Sequence, residues 1–336
     1  MENSEIRLIA SIIKTSGENV AARVAESLAI SRQTASIRLR QLKAAGLIVS
    51  TGTGRGTNYK LVEFLSSAKT YKREGLDEDR VWREQCLPIV QDLESNVRSI
   101  WQHGITEMVN NAIDHSGSDK INVWIRRNVL ETVCTVEDKG EGIFKKIQNA
   151  LGLYDPREAI LELAKGKLTT DPANHSGEGI FFSSKMFDRF VIDSDELCFV
   201  HLGNDKPDVL LGTDDGVKGT TVIMRLANDS TRTSKEIFDK FASPEEYSFA
   251  KTLVPVKLAQ YEGETLVSRS QAKRLTRRFE RFETVILDFE GVETIGQGFA
   301  DEVFRVFANA HPDLTMVPIH TSVAVRGMIK RVKNPT

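Results

Sequence analysis

Trp101-Gln-His-Gly-Ile-Thr-Glu-Met-Val-Asn-Asn-Ala-Ile-Asp-His-Ser116 is the stretch that decides the fold of the central part of the chain. Its apolar residues recur every three or four positions, which predicts an amphipathic helix. Glu107 and Asn111 are four residues apart, so they lie on the same side of this helix, one turn from each other. A carboxylate that orients water, beside an amide oxygen that coordinates a hard cation, suits a magnesium-bound polyphosphate.

A second stretch follows about twenty residues later. Ile121–Ile125 and Glu131–Glu137 are rich in β-formers and predict two adjacent strands, which end in Asp138-Lys-Gly-Glu-Gly-Ile143. An ionised carboxylate at a strand end accepts hydrogen bonds only, and can therefore take one from an exocyclic amine. Gly140 and Gly142 allow the backbone to turn closely around a planar base.

Two glycine-containing stretches complete the pattern. The long segment Gln148–Asn174 contains a helical patch, Arg157–Lys165, and has the length expected of a lid over a ligand. It is followed by His175-Ser-Gly-Glu-Gly-Ile180, in which Gly177 and Gly179 precede a helix and offer backbone N–H groups to a phosphate. Gly219-Thr-Thr-Val222 begins a late strand with a pair of hydroxyl groups.

In order and spacing, these four motifs resemble those of the Bergerat-fold ATPases, which include gyrase, histidine kinases, mismatch-repair ATPases and the bacterial anti-sigma-factor kinases. Glu107, Asn111 and Ala112 match the first motif, Glu-x-x-x-Asn-Ala, and Asp138, Gly140 and Gly142 match the second, Asp-x-Gly-x-Gly. Gly177 and Gly179 match the Gly-x-Gly of the lid. Gly219 with Thr220 or Thr221 matches the late Gly-Thr. Any one motif alone is a weak indication, but four in register over about 120 residues are specific.

The resemblance implies a site for ATP and Mg²⁺. Glu107 would be the general base, Asn111 the magnesium ligand and Asp138 the residue that reads adenine. The remaining predicted nucleotide contacts are Gly140, Gly142, Gly177, Gly179 and Thr221. The resemblance further implies a weak magnesium-dependent ATPase. A phosphoacceptor-histidine helix like that of sensor kinases does not precede the domain, so autophosphorylation is not expected.

The first sixty residues differ from the rest in charge. They contain nine Lys/Arg against four Glu, a net charge of +5, whereas the whole chain is −2. Their pattern predicts three short helices and a hairpin, with Ala35, Ile37, Leu39, Leu42 and Ala45 as the buried residues of the third helix. This pattern is similar to the winged helix-turn-helix of bacterial transcription regulators, most closely over residues 30–48.

That similarity implies binding of duplex DNA through residues 1–65. A positive segment on a near-neutral chain is the charge pattern expected of a nucleic-acid-binding unit. The predicted DNA contacts are Arg32, Gln33, Thr34 and Arg38 on a helix for the major groove, and Arg55 at the tip of the wing. The alternative is that the segment docks a protein and that its basic helix face is only solvated.

The C-terminal part alternates strands and helices. Val285-Ile-Leu-Asp-Phe-Glu-Gly-Val-Glu-Thr-Ile295, followed by a helix start, looks like a STAS-type fold, the fold of anti-anti-sigma factors. It is closer still to a STAS-like family found fused to such ATPases, which implies a protein partner. Gly296-Gln-Gly-Phe299 stands where anti-anti-sigma proteins have Asp-Ser-Ser-Gly, so we expect the phosphorylation switch of that family to be lost.

The predicted fold class is α/β, with α+β multidomain organisation: winged helix, Bergerat-fold α/β sandwich and STAS-like α/β domain. The predicted boundaries are 1–65 for the winged helix, 66–80 for a linker, 81–230 for the ATP-binding domain, 231–248 for a second linker and 249–336 for the STAS-like domain. A length of 336 residues suits two or three domains. A homodimer is compatible with this architecture.

The composition narrows the location of the protein. No apolar run approaches the roughly 20 residues that span a bilayer, and residues 1–10 do not have the pattern of a signal peptide. Cys86, Cys134 and Cys198 are widely spaced, which favours a reducing compartment over a disulfide framework or a zinc site. We therefore expect a cytoplasmic protein that does not bind membranes.

Three functions follow as hypotheses. The first is a DNA-associated regulator in which the nucleotide state of the central domain controls the two outer domains. The second is a protein kinase or partner-switching protein like the anti-sigma factors. The third is a DNA-dependent ATPase of a defence or maintenance system. Phosphoryl transfer to a STAS partner separates the second from the first, and stimulation of ATP hydrolysis by DNA separates the third.

Overall fold

A computed structural model describes residues 1–168, 177–203, 208–242, 249–260 and 264–333. For residues 55 and 213–215 within these ranges, it describes the backbone but not the side chains. The chain is a mixed α/β protein with one two-stranded, one three-stranded and one five-stranded sheet in this part. None of the helices described is long and apolar enough to cross a membrane.

The N-terminal unit consists of three helices and a hairpin. The elements are α1 (Asn3–Thr15), α2 (Val20–Ser27), α3 (Arg32–Ala44), β1 (Ile48–Thr51) and β2 (Asn58–Leu61), with the two strands antiparallel. Ser31 caps α3, since its side chain accepts a hydrogen bond from the backbone of Thr34 at 3.1 Å. The unit has its own apolar core, made by the inner faces of the helices and by Ile48.

The central unit is built on a five-stranded antiparallel sheet in the order β3-β4-β5-β7-β6. The strands are β3 (Leu65–Lys72), β4 (Lys120–Arg127), β5 (Glu131–Asp138), β6 (Arg189–His201) and β7 (Val209–Ala227). In β4, buried and more accessible residues alternate, with Ile121, Val123 and Ile125 buried. This period of two places one face of the sheet against the core.

Helices cover that face. They are α4 (Glu78–Val81) continued by a π-helical turn (Trp82–Cys86) and α5 (Leu87–Val90), then α6 (Ser95–His115), α7 (Ile143–Leu151), α8 (Arg157–Lys165), α9 (Gly179–Met186) and α10 (Ser234–Phe241). The long helix α6 buries Trp101, Ile105 and Val109. The apolar residues whose period of three to four predicted this helix therefore form the stripe that packs against the sheet.

The C-terminal unit has a parallel three-stranded sheet in the order β10-β9-β8. Its elements are β8 (Lys251–Pro255), α11 (Arg269–Thr276), β9 (Thr284–Asp288), α12 (Gln297–Asp301) with a π-helical continuation (Glu302–Phe307), α13 (Ala308–Ala310), β10 (Thr315–Ile319) and α14 (Val323–Lys333). Ser268 and Gln271 form a capping box that begins α11.

Both predicted linkers contain regular structure. The interval 66–80 includes most of β3, the edge strand of the central sheet, in which only Tyr71 is buried. Because an edge strand often has polar residues and lysines on its outer side, its composition resembles that of a loop. The interval 231–248 contains α10, which a Thr233–Glu236 capping box begins and whose Ile237 and Phe241 are buried. Its residues 243–248 lie outside the described part.

The predicted lid segment, 148–174, is also largely regular. It includes the end of α7 and all of α8, and every residue of α8 from Glu158 to Lys165 is buried. Gly152, with a φ of 60°, ends α7 in the left-handed conformation that glycine adopts readily. The end of the segment, from residue 169, is outside the described residues.

A buried ionic network joins α8 to the C-terminal unit. Glu162 accepts hydrogen bonds from Lys165 Nζ at 2.8 Å and from Arg278 Nη1 at 3.0 Å, and all three side chains are buried. Lys165 also donates to the carbonyl of Arg277 at 2.8 Å. Burial lowers the pKa of Lys165 to about 8. These bonds fix the end of α8 against the C-terminal unit.

Aromatic side chains line the same junction. Phe181 of α9 and Phe249 have ring centroids 4.7 Å apart, and Phe249 meets Phe282 at 5.6 Å. Phe241 of α10 packs edge-on against Phe181 at 5.0 Å. The central and C-terminal units consequently share one continuous apolar core.

The N-terminal unit contacts the central unit through ion pairs. Lys14 pairs with Glu131 at 2.5 Å, and Arg7 pairs with Asp229. These pairs are partly exposed, and its apolar core is separate from the shared one. Partly exposed pairs are worth little individually and are screened by salt.

Candidate functional site

A cavity of about 300 Å³ opens between α6, α7, α9, the end of β5 and the middle of β7. Its volume is at the lower end of the range typical of small-molecule sites. The apolar part of its wall includes Met108, Val136, Ile143 and Val222. Polar groups converge from α6 and from the end of β5, so the cavity offers a slot for a flat apolar body with polar groups around it.

Glu107 and Asn111 both line this cavity from the same side of α6. Gly179, at the start of α9, lies directly against Glu107, because a Cβ on Gly179 would stand 1.8 Å from Glu107 Oε2. Asn111 Nδ2 is buried and has no hydrogen-bond partner. A buried amide without a partner costs free energy, which a polar ligand in the cavity would recover.

Asp138 lies at the end of β5 and is 5% exposed. Its carboxylate accepts a hydrogen bond from the backbone N–H of Gly140 at 2.9 Å. Burial raises the pKa of Asp138, aided by the charge of Glu137, and backbone hydrogen bonds from Gly140 and Thr220 only partly oppose this. A buried carboxylate at a cavity wall is suited to accept a hydrogen bond from a neutral donor.

The turn after Asp138 needs its glycines for space. A Cβ on Gly140 would stand 1.8 Å from the carbonyl oxygen of Ser116, at the end of α6. Gly142 has a φ of 92°, and a Cβ there would meet Asp195 Oδ2 at 2.7 Å. The turn is therefore pressed between α6 and β6, and α7 begins directly behind it at the cavity wall.

The structure places six of the eight predicted nucleotide-site residues in the cavity wall. They are Glu107, Asn111, Asp138, Gly142, Gly177 and Gly179. Gly140 shapes the turn behind the wall. Thr221 is not in the wall, because its neighbour Thr220 occupies that position and accepts a hydrogen bond from the Ile143 backbone at 3.0 Å. Successive residues of a strand point to opposite faces, so only one of the two threonines can face the cavity.

Lys146 is a cavity residue that the sequence analysis missed. It lies on the first turn of α7, and its Nζ donates to the carbonyl of His115 at 2.7 Å. The sequence indicated this cavity residue only by its position, four residues after the last glycine of Asp-x-Gly-x-Gly. Its ammonium group adds positive charge to a wall that otherwise presents Glu107 and Asp138.

The predicted DNA contacts on α3 occupy different environments. Arg32 and Gln33 are exposed, as is Arg40 two turns further on, and Thr34 is half-buried beside the Ser31 cap. Ile37 was predicted to be buried but is 41% exposed, and Ala45 is also exposed, whereas Ala35, Leu39 and Leu42 are buried. The outer face of α3 is therefore basic and polar with one apolar side chain in it.

Arg38 is not on that face. Arg38 Nε pairs with Glu5 of α1 at 2.9 Å and Arg38 Nη1 contacts Gln41 at 3.4 Å, so its guanidinium is engaged within the unit. Helical spacing explains this, because Arg38 follows Thr34 by four residues on the half-buried side of α3. The side chain of Arg55 lies outside the described part of the chain.

The turn that replaces Asp-Ser-Ser-Gly lies at the start of α12. Gly296 donates its N–H to the carbonyl of Leu266 at 2.8 Å, and a Cβ on it would meet Val267 at 2.8 Å. Residues 271–326 match the family model of a STAS-like domain of unknown function (DUF4325). The STAS-like match spans α11 to the first turn of α14, so it confirms the C-terminal resemblance. No curated protein has significant sequence similarity to the chain.

Proposed function

We propose that the chain is an ATP-binding, DNA-associated regulator in which the nucleotide state of the central unit controls the N-terminal unit and the STAS-like domain. The observation that carries the proposal is the cavity, whose wall combines Glu107, Asn111, Asp138 and the glycines of two motifs. These residues are separated by up to 72 positions in sequence.

The cavity residues fit a nucleotide with its metal. Asp138 is buried where it could accept a hydrogen bond from an exocyclic amine. The amide nitrogen of Asn111 has no hydrogen-bond partner; if the ligand supplied one, the amide oxygen would still be available to coordinate Mg²⁺. Gly177 and Gly179 border the cavity next to Glu107 at the N-terminus of α9, where backbone N–H groups favour anions. Bound Mg²⁺ would neutralise phosphate charge, and Glu107 would orient water.

Asp138→Asn is expected to weaken ATP binding by about 1–3 kcal/mol, because the adenine donor loses its charged acceptor. The measurement is calorimetric titration of the full-length chain with ATP and Mg²⁺. Glu141→Gln, which changes an exposed carboxylate on the same turn, is the matched control and should bind ATP like wild type. Unchanged affinity in Asp138→Asn would refute the assignment of this residue.

The same variant should stabilise the protein without nucleotide. Because the pKa of Asp138 is raised in the folded state, the folded chain takes up this proton more readily than the unfolded chain. Its ionised form therefore costs stability at neutral pH, and the cost disappears as pH falls through the raised pKa. We expect Asp138→Asn to melt at a higher temperature than wild type at pH 7, with a smaller difference in acid.

The exposed face of α3 supports the DNA part of the proposal. Arg32, Gln33 and Arg40 present charge-bearing and amide donors of the kind that bind phosphates and base edges. The exposed Ile37 lies among them and suits contact with a thymine methyl group. The net charge of +5 in the first sixty residues adds an attraction for a polyanion.

Arg32→Ala combined with Arg40→Ala is expected to weaken duplex binding and to flatten its dependence on salt. Each lost phosphate contact should reduce the slope of log K against log[salt] by about 0.9. The measurement is fluorescence anisotropy of a labelled duplex with the full-length chain between low and moderate salt. Arg23→Ala, which removes one positive charge from α2, away from the outer face of α3, serves as the control; Arg23 donates to the carbonyl of Ser16. Equal slopes in all three proteins would contradict the assignment of α3.

The connection between α8 and the STAS-like domain supports nucleotide control. Leu163 of α8 lines the cavity, and its neighbours Glu162 and Lys165 are bonded to Arg278 and to the carbonyl of Arg277. A ligand that prefers one position of α8 would consequently also favour one position of the STAS-like domain. The ligand can shift that equilibrium only by its difference in affinity for the two states.

A further inference from the structure

Three metal-ligating side chains meet at one edge of the C-terminal sheet. Asp288 is the last residue of β9, Glu290 follows it by two, and His320 comes directly after β10. The two strands are parallel neighbours and pair Asp288 with Ile319, so their carboxyl ends lie side by side. In open parallel sheets, this edge is where ligands bind.

The three side chains are already arranged around a common point. His320 Nδ1 is 2.9 Å from Asp288 Oδ1, and one ligand atom from each of the three residues lies within 4.8 Å of the others. The backbone N–H of Glu290 donates to Asp288 Oδ1 at 2.9 Å, which holds this carboxylate towards the loop. Asp288 is mostly buried, whereas His320 and Glu290 are accessible from solvent.

The donor set determines the kind of cation. An imidazole nitrogen with two carboxylate oxygens favours a borderline transition metal such as Zn²⁺ over Mg²⁺ or Ca²⁺, which prefer oxygen alone. Three protein ligands are the set found in zinc sites that keep a fourth position open for water. Lys257, an exposed residue, approaches Gly291, the residue after Glu290, while Glu290 and His320 are themselves exposed to solvent.

We propose that Asp288, Glu290 and His320 form a site for one Zn²⁺ ion in the STAS-like domain, with a water molecule as fourth ligand. The cation would tie the loop after β9 to the loop after β10. It would add to the hydrogen bonds from Ser322 Oγ to the carbonyl of Glu293 at 2.6 Å and from the Phe289 N–H to the carbonyl of Ile319 at 3.1 Å. The site lies outside the central cavity, so it is independent of the proposed nucleotide and DNA functions.

The test is calorimetric titration of the metal-free, full-length chain with Zn²⁺ alone at neutral pH, without nucleotide. Wild type should bind one ion per chain at this site. His320→Asn should weaken that binding by at least about tenfold, since even the loss of an outer-shell partner has effects of this size. Glu290→Gln removes an exposed ligand, so it tests the site without affecting folding, and it should also weaken binding.

Two control variants match these changes. His311→Asn removes an imidazole that stacks on Phe307 in the same domain, and Glu293→Gln removes an exposed carboxylate three residues from Glu290. Both should bind Zn²⁺ like wild type. Absence of zinc binding by wild type, or equal binding by wild type, His320→Asn and Glu290→Gln, would overturn the proposal.

Discussion

Glu107→Gln is expected to lower ATP turnover by about 100-fold or more while leaving ATP affinity close to that of wild type. A positioned general base contributes 10²–10⁴ in rate, and glutamine keeps the size of the side chain but accepts no proton. Because Glu107 lies directly against Gly179, an isosteric change that keeps the size of the side chain is the appropriate test. Turnover is measured by phosphate release and affinity by calorimetry.

Glu178→Gln is the matched control for this prediction. Glu178 lies between the two glycines of the same motif, and burial raises its pKa, which gives it some character of a base. It is outside the cavity wall, so we expect its variant to retain most of the turnover. Full turnover in Glu107→Gln together with loss in Glu178→Gln would transfer the role of base to Glu178.

Glu162→Ala should be the most destabilising of the substitutions considered, by about 3–5 kcal/mol, because it leaves buried cations without their anion. Lys165 and Arg278 both donate to this one carboxylate. The measurement is denaturant unfolding of the full-length chain. Glu158→Ala, one turn earlier on α8, is the graded control: its partner Arg277 is 39% exposed and can turn to water, so we expect a smaller loss.

The pH dependence isolates the contribution of the Lys165–Glu162 pair to this loss. The pKa of Lys165 is about 8 in the folded protein, below that of an ordinary lysine, so the folded state releases this proton first. Above that pH, Lys165 is neutral and its bond to Glu162 contributes less. The stability difference between wild type and Glu162→Ala should therefore narrow as pH rises through about 8. A difference that is independent of pH would attribute the loss to Arg278 and to packing, and not to Lys165.

The sequence predicted what short-range patterns determine. The α6 helix follows from its apolar period, and Glu107 and Asn111 face the same cavity because four residues make about one helical turn. The end of β5 at Asp138 follows from a β-rich run stopped by glycines. Thr220 and Thr221 are the same residue type, so only the register of β7 in the sheet shows which of the two hydroxyl groups faces the cavity.

Properties that depend on distant partners were not predictable from composition. β3 is polar because it is an edge strand, and α10 is polar on one side because its apolar residues, Ile237, Phe238 and Phe241, face the core. From the local sequence, Arg38 resembles a DNA contact, but in the fold α1 places Glu5 beside it and the two side chains form an ion pair. Likewise, nothing in the local sequence indicates that Arg278 is buried against α8, more than 110 positions away in the chain.

The single apolar core under the central sheet and the C-terminal sheet has a consequence for how the chain folds. Removal of residues 249–336 would expose the aromatic rings of Phe181 and Phe241. It would also leave Glu162 without Arg278 and Lys165 without the carbonyl of Arg277. These two regions therefore make up one cooperative folding unit, although each has its own sheet. The N-terminal unit has a separate core and side-chain ion pairs at its boundary, so among the described residues it is a module that evolution could exchange without rebuilding an interior.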